Sequence, residues 1–194
     1  MTDLVRAMLW RRVDQPGTEA MELRAGADSW HLYGLAALGL EGQPTQVRYH
    51  VACDLGWRTR SVDVGVKWGG DIRVLHLSNK GGTWRAKASP QVRDELASVG
   101  SSIDVDLGMT PSTNTLPIRR LELAKGQSAE LIAVWVRFPE LTVEPLRQRY
   151  SRLEERRYRY ESLDSGFSAD LEVDELGLVT SYSGLWDRAV SFDP

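Results

Sequence analysis

Apolar and polar residues alternate with period two through most of the chain, which is the pattern of strands with one buried and one exposed face. From Gln46 to Cys53, the residues Val47, Tyr49, Val51 and Cys53 point one way, and Gln46, Arg48, His50 and Ala52 point the other. Between Ser61 and Trp68, the residues Val62, Val64, Val66 and Trp68 oppose Ser61, Asp63, Gly65 and Lys67. Phe167, Ala169, Leu171 and Val173 alternate with Ser168, Asp170, Glu172 and Asp174. Leu131 to Phe138 is apolar on both faces until Arg137, which predicts a central strand covered from both sides. Turn signals lie between these runs: Gly69-Gly70-Asp71, Asn79-Lys80-Gly81-Gly82, Asp164-Ser165-Gly166 and Asp174-Glu175-Leu176-Gly177. Such short connections join antiparallel neighbours, and they divide the chain into roughly eleven strands at the spacing of an all-β barrel or sandwich.

Helical signals are few. Ser89 is a suitable cap, Pro90 fits a first helical position, Gly100 can end the helix, and Val92, Leu96 and Val99 form its apolar stripe. A second short helix or an irregular segment is expected within Thr110 to Leu121, where Pro111 and Pro117 forbid a long regular element. With no linker, low-complexity tract or exact repeat, residues 1–194 read as one domain. A sheet of this width must twist and curl, and the scarce helix is expected against its hollow side. The expected class is therefore mainly β: a strongly curled antiparallel sheet, with one or two short helices in a concavity able to hold a small ligand.

Composition adds exclusions. A chain of 194 residues can bury a core without a disulfide or metal staple. Cys53 is the only cysteine, so no disulfide forms within the chain and a cysteine-rich zinc site is excluded. A net charge of −3 gives no reason to expect nucleic acid. The longest near-apolar run, Leu32 to Leu40, is about half of what a membrane-spanning helix needs. Met1 to Trp10 carries no secretory pattern, so the expected compartment is the cytoplasm, which suits a free thiol. The basic residues are twenty arginines and four lysines, and there are seven tryptophans, of which Trp68 and Trp135 read as core by periodicity.

The established catalytic motifs are absent, and no metal or cofactor is expected. His50 and Cys53 would point to opposite strand faces and read as ordinary strand residues. Asp104 and Asp106 share one strand face, as do Asp170, Glu172 and Asp174, and both sets read as acids facing water. Sharper is Cys53-Asp54-Leu55-Gly56-Trp57-Arg58-Thr59-Arg60. Asp54 and Gly56 suggest a turn, after which Arg58 and Arg60 share a strand face beside Trp57. Forked guanidinium groups beside an indole suit a carboxylate, a phosphate or sugar hydroxyls; a salt bridge that orders the turn is the plainer reading. Asn114, with Arg119 on a proline-stiffened segment, supplies further donors at the rim of a site, and a packed loop that satisfies its own backbone is an equal reading. Between Arg147 and Tyr160, arginines interleave with Tyr150, Tyr158 and Tyr160, and nearby glutamates make cross-strand ion pairs the better reading than nucleic-acid contact. Asp54, Trp57, Arg58, Arg60, Asn114, Arg119, Tyr158, Tyr160 and Trp186 form the candidate ligand-binding set.

Taken together, several segments resemble the bacterial family of putative glycolipid-binding proteins. The matching stretches are Cys53 to Arg60, Asn114 to Leu121, Ala133 to Pro139, Leu146 to Tyr150, Tyr158 to Tyr160, and Val173-Asp174 through Gly177-Leu178-Val179 to Trp186. The resemblance implies a β-clam or half-barrel with helix in its mouth, similar in shape to bacterial lipoprotein carriers and to one cofactor-free pigment-biosynthesis enzyme. It brings no catalytic residues. Three functions compete. One is a soluble binder of an amphipathic ligand, a glycolipid or acylated metabolite, which predicts an open apolar cavity with arginines at its rim. A cofactor-independent enzyme using the same hollow is the second. The third is an interaction module, a homodimer among its forms, which predicts an apolar patch outside the hollow.

Overall fold

The computed structural model describes residues 2–89 and 99–194. Residues 90–98, on which the helix expected between Ser89 and Gly100 falls, lie outside the described residues. The strands are β1 (Asp3–Arg12), β2 (Gly17–Ala25), β3 (Ser29–Leu40), β4 (Gln43–Asp54), β5 (Thr59–Trp68), β6 (Asp71–Lys80) and β7 (Thr83–Ser89). They continue as β8 (Val105–Asp106), β9 (Ser128–Arg137), β10 (Thr142–Glu154), β11 (Arg157–Ser162), β12 (Ser168–Val173), β13 (Val179–Tyr182) and β14 (Trp186–Phe192). A 3-10 turn at Ser112–Asn114 leads into α1 (Thr115–Leu121), where Pro117 sits in the first turn and needs no intrahelical donor. Alternation cannot reveal a strand of two residues such as β8 or of four such as β13, so periodicity undercounts the sheet.

All fourteen strands belong to one sheet, ordered β7-β6-β5-β4-β3-β2-β1-β14-β13-β12-β11-β10-β9-β8. Every neighbouring pair is antiparallel except β8 and β9. The first and last strands meet in the middle, and the open edges are β7 and β8. Laid flat, such a sheet would be about 65 Å wide at the usual strand spacing. It is not flat, because one short segment ties its two ends together. Thr59 N on β5 donates to Ile103 O at 3.2 Å, and Val134 N on β9 donates to Asp104 O at 2.8 Å. The Arg73 guanidinium on β6 likewise reaches Pro139 O, beyond β9, at 3.0 Å.

The face enclosed by this curl is the core. Trp10, Leu23, Leu32, Val51, Val62, Leu77 and Trp84 come from β1–β7, and Tyr150, Leu171 and Trp186 from the other strands. Leu116 and Ile118 of α1 fill the space between them. Three sequence expectations need correction. β9 is next to the edge rather than central, and Ile132 is exposed, although Val134 and Val136 are buried. Trp68 and Trp135 are only partly buried: each lies under a guanidinium, of Arg73 and Arg137 respectively, whereas Trp10 and Trp84 are the fully buried indoles. Asp104 and Asp174 do not face water. Asp104 pairs in two-pronged fashion with Arg120 at 3.0 and 2.5 Å, and Asp174 pairs with Arg6 at 2.7 Å. Burial still pushes both carboxyls above their ordinary range.

Candidate functional site

The opposite face of β1–β7 and β14 is concave too, and it encloses a trough of about 1360 Å³. That exceeds the roughly 300–1,000 Å³ of a pocket for a drug-sized ligand. Strand register builds its floor in rows. One row runs Val190, Leu9, Ala20, Leu35, Arg48, Gly65, Val74 across β14 and β1–β6. Leu35 is 55% exposed, Val190 56%, and Ile72 at the trough's far side 71%, so large apolar side chains lie open to solvent. The floor is thin: Met8, Met21, Tyr49, Val64 and Leu75 turn their side chains into the core on its reverse.

The adjacent row, Phe192, Ala7, Glu22, Tyr33, His50, Asp63, His76, Lys87, is polar from Glu22 onward. All three histidines of the chain meet here. His31 Nδ1 lies 2.9 Å from His50 Nε2, His50 Nδ1 lies 3.9 Å from Asp63, and His76 Nδ1 lies 2.7 Å from the same carboxylate. The Tyr33 ring stacks on His50 with centroids 4.2 Å apart. Burial lowers the pKa of His31 and of His50, and for His50 the neighbouring His31 adds to the effect. His50 faces the trough while Cys53 is in the core, as strand parity requires. Among the described residues, no group of three or more His, Cys, Asp or Glu side chains is arranged to hold a metal ion.

None of the nine candidate residues read from the sequence lines this trough. Asp54 closes its turn by accepting from Arg58 N at 2.9 Å, and Trp57 occupies the left-handed region at φ 62°. The Trp57 indole is buried, stacked on Trp30 at 4.9 Å and covered by the Arg119 guanidinium at 5.6 Å. Arg58 is exposed, and Arg60 pairs with exposed Asp28 at 3.2 Å. Asn114 is buried and donates to the Tyr150 hydroxyl at 2.8 Å. The Tyr160 hydroxyl accepts from Gln148, and Trp186 is buried beneath Arg12. Arg119 and Tyr158 do share a cavity, a smaller one of about 360 Å³ also lined by Arg152, Glu155 and Gly177. The expected cross-strand ion pairs are present: Arg149 with Glu130, and Arg157 and Arg159 with Asp170.

One strand of the trough carries a signal in the sequence, although the assembly of the trough does not. The run Leu32 to Leu40 is too short for a membrane but apolar on both strand faces. One face, Leu32, Ala36 and Leu38, is buried, and the other carries Tyr33 and Leu35 into the trough. None of the described helices is long and apolar enough to cross a membrane.

Comparison with known proteins agrees with this architecture. A crystal structure of a DUF1089 family protein from Pseudomonas aeruginosa is similar at a TM-score of 0.77 and 37% sequence identity, over 92% of this chain and 95% of that one. No curated protein matches the chain. The family described as "Putative glycolipid-binding" matches residues 7–188, spanning both halves of the sheet, and the chain belongs to that family.

Proposed function

We propose that the protein binds an amphipathic ligand, a glycolipid or an acylated metabolite, in the trough. The apolar part lies along Leu9, Leu35, Val74 and Val190, and polar groups of the ligand find partners on both sides of that row, Tyr33, His50, Asp63 and His76 on one and Lys67 on the other, with Arg48 in the row itself. One observation carries this reading. Large apolar side chains are collected on the solvent face of the sheet, directly beside a polar row and within a single concavity. Contiguous exposed apolar surface of this kind marks a binding site. The helix-side hollow is packed with α1 and core residues, which leaves the reverse face as the open concavity. The family name points to the same ligand class.

Gly65 supplies the test. It lies on the trough floor, and a side chain there would project into open space. A Gly65→Trp substitution should fill the trough without disturbing the core. The expected result is a lipid adduct in native mass spectra of freshly purified wild-type protein, and its loss in the variant at unchanged melting temperature. Leu35→Asp should weaken binding of a fluorescent long-chain probe by roughly tenfold to a hundredfold, the worth of one buried leucine side chain. Unaltered probe binding in the tryptophan variant would overturn the trough as the site.

A further inference from the structure

We infer that the ligand of the trough is an anionic amphiphile, its carboxylate or phosphate group held by Arg48 and Lys67. The inference rests on the trough being the binding site. Five side chains that are charged at neutral pH line it: Glu22, Asp63, Arg48, Lys67 and Lys87. Both carboxylates already have side-chain partners, a guanidinium for Glu22 and two imidazoles for Asp63. Glu22 accepts from Arg24 Nε at 2.7 Å, and Asp63 is bound by His76 at 2.7 Å with His50 beyond. None of the three cations has an ion pair or a side-chain hydrogen bond among the described residues. With Glu22 neutralised by Arg24, three cations stand against the one carboxylate of Asp63, so the trough carries net positive charge in a chain whose net charge is −3.

Placement sharpens the point. Arg48 stands within the apolar row, directly between Leu35 on β3 and Gly65 on β5. Lys67 faces Gln46 and Ile72. Arg48 and Lys67 are diagonal neighbours across β4 and β5, about 7–8 Å apart on an ordinary sheet. A forked guanidinium and a mobile ammonium at that separation can grip one anionic group from two sides. The missing side chain of Gly65 leaves room for it beside Arg48. A ligand tail lying on Leu35 and Val74 would also exclude water from the arginine, so a matched charge is required there more than at an open surface.

Calorimetric titration with three probes that share a dodecyl tail, each below its micelle concentration, tests this. Dodecyl phosphate should bind at least about tenfold tighter than dodecyl maltoside, in line with a charge-assisted hydrogen bond. Dodecyltrimethylammonium should bind weakest. Molar salt should narrow the gap by screening. An Arg48→Gln/Lys67→Gln double variant should bring the phosphate ester down to the maltoside's affinity, and a matched melting curve confirms its fold. Equal binding of the phosphate and maltoside probes to wild-type protein would overturn the inference and leave the trough standing. Displacement of dodecyl phosphate by inorganic phosphate at equal concentration would overturn it too, by showing an anion site that ignores the tail. Binding of none of the three would remove the trough reading itself.

Discussion

Glu19 is the residue whose chemistry is most at odds with its surroundings. It lies on the core side of β2, fully buried, and its Oε1 accepts from the Tyr49 hydroxyl and from Thr110 Oγ1 at 2.6 Å. Its Oε2 has no partner. Burial pushes the carboxyl up to about 7, against the lowering effect of the two hydroxyl donors. In the window between the ordinary glutamate value and about 7, the folded chain holds a proton that the unfolded chain has released. Stability must therefore fall as pH rises through that window. The favourable contribution is complete below the unfolded value and is lost above the folded one. Its size is on the order of 3 kcal/mol. Urea melts from pH 5 to 8 should show this decline in wild-type protein, and a Glu19→Gln variant should lack it. Parallel pH profiles for the two proteins would contradict the assignment.

The same buried cluster shows how strand pairing turns a residue into an element's requirement. Gly34 on β3 faces Tyr49 on β4, and a Cβ on Gly34 would lie 2.0 Å from the Tyr49 ring. Gly34→Ala must displace the ring, and with it the hydroxyl that Glu19 accepts from. The expected loss is about 1–3 kcal/mol for overpacking, with more if the carboxyl is orphaned, read as a lowered urea midpoint. Strands such as β4, β5 and β12 were legible because their alternation is local: each residue's neighbours two positions away reveal its face. The turn at Asp54 was legible for the same reason, as five residues, Asp54 to Arg58, contain its hydrogen bonds. Asp104 was not, because the partner that lets it leave water, Arg120, lies sixteen residues on and arrives only through α1. Nor was the trough. Leu9 and Val190 are neighbours through the pairing of β1 with β14, and no window of sequence holds both. The nine residues first singled out were chosen for chemical type along short stretches, and the fold turns Trp57, Asn114, Tyr160 and Trp186 inward.

At the scale of the whole molecule, the question is whether the two halves of the sheet are separate units. Their contacts argue for one. The indole of Trp10 on β1 donates to Val179 O on β13 at 2.7 Å, and Arg6 on β1 holds Asp174, between β12 and β13. Tyr49 of the first half meets Ser112, while Asn114, two residues on, meets Tyr150 of the second. The segment from Ile103 to Asp104 bonds to β5 and β9 together. Neither half can keep its buried polar groups satisfied without the other, so we expect residues 1–194 to unfold as one cooperative unit. Far-UV circular dichroism and tryptophan emission should give coincident urea transitions, since the indoles sit in both halves: Trp57 and Trp84 in one, Trp186 in the other. Arg6→Ala sharpens the test. It leaves Asp174 buried without its cation, at a cost of about 3–5 kcal/mol. If the halves are one unit, both signals shift to lower urea together. If they were independent, strain at the β1–β13 junction would split the curve in two, and the one-domain reading would fail. A trough ligand must then act on the same equilibrium. Although bound only to β14 and β1–β7, it should raise the midpoint seen by Trp135 on β9 as much as that seen by Trp84, because binding to the folded state alone stabilises every element that folds with it.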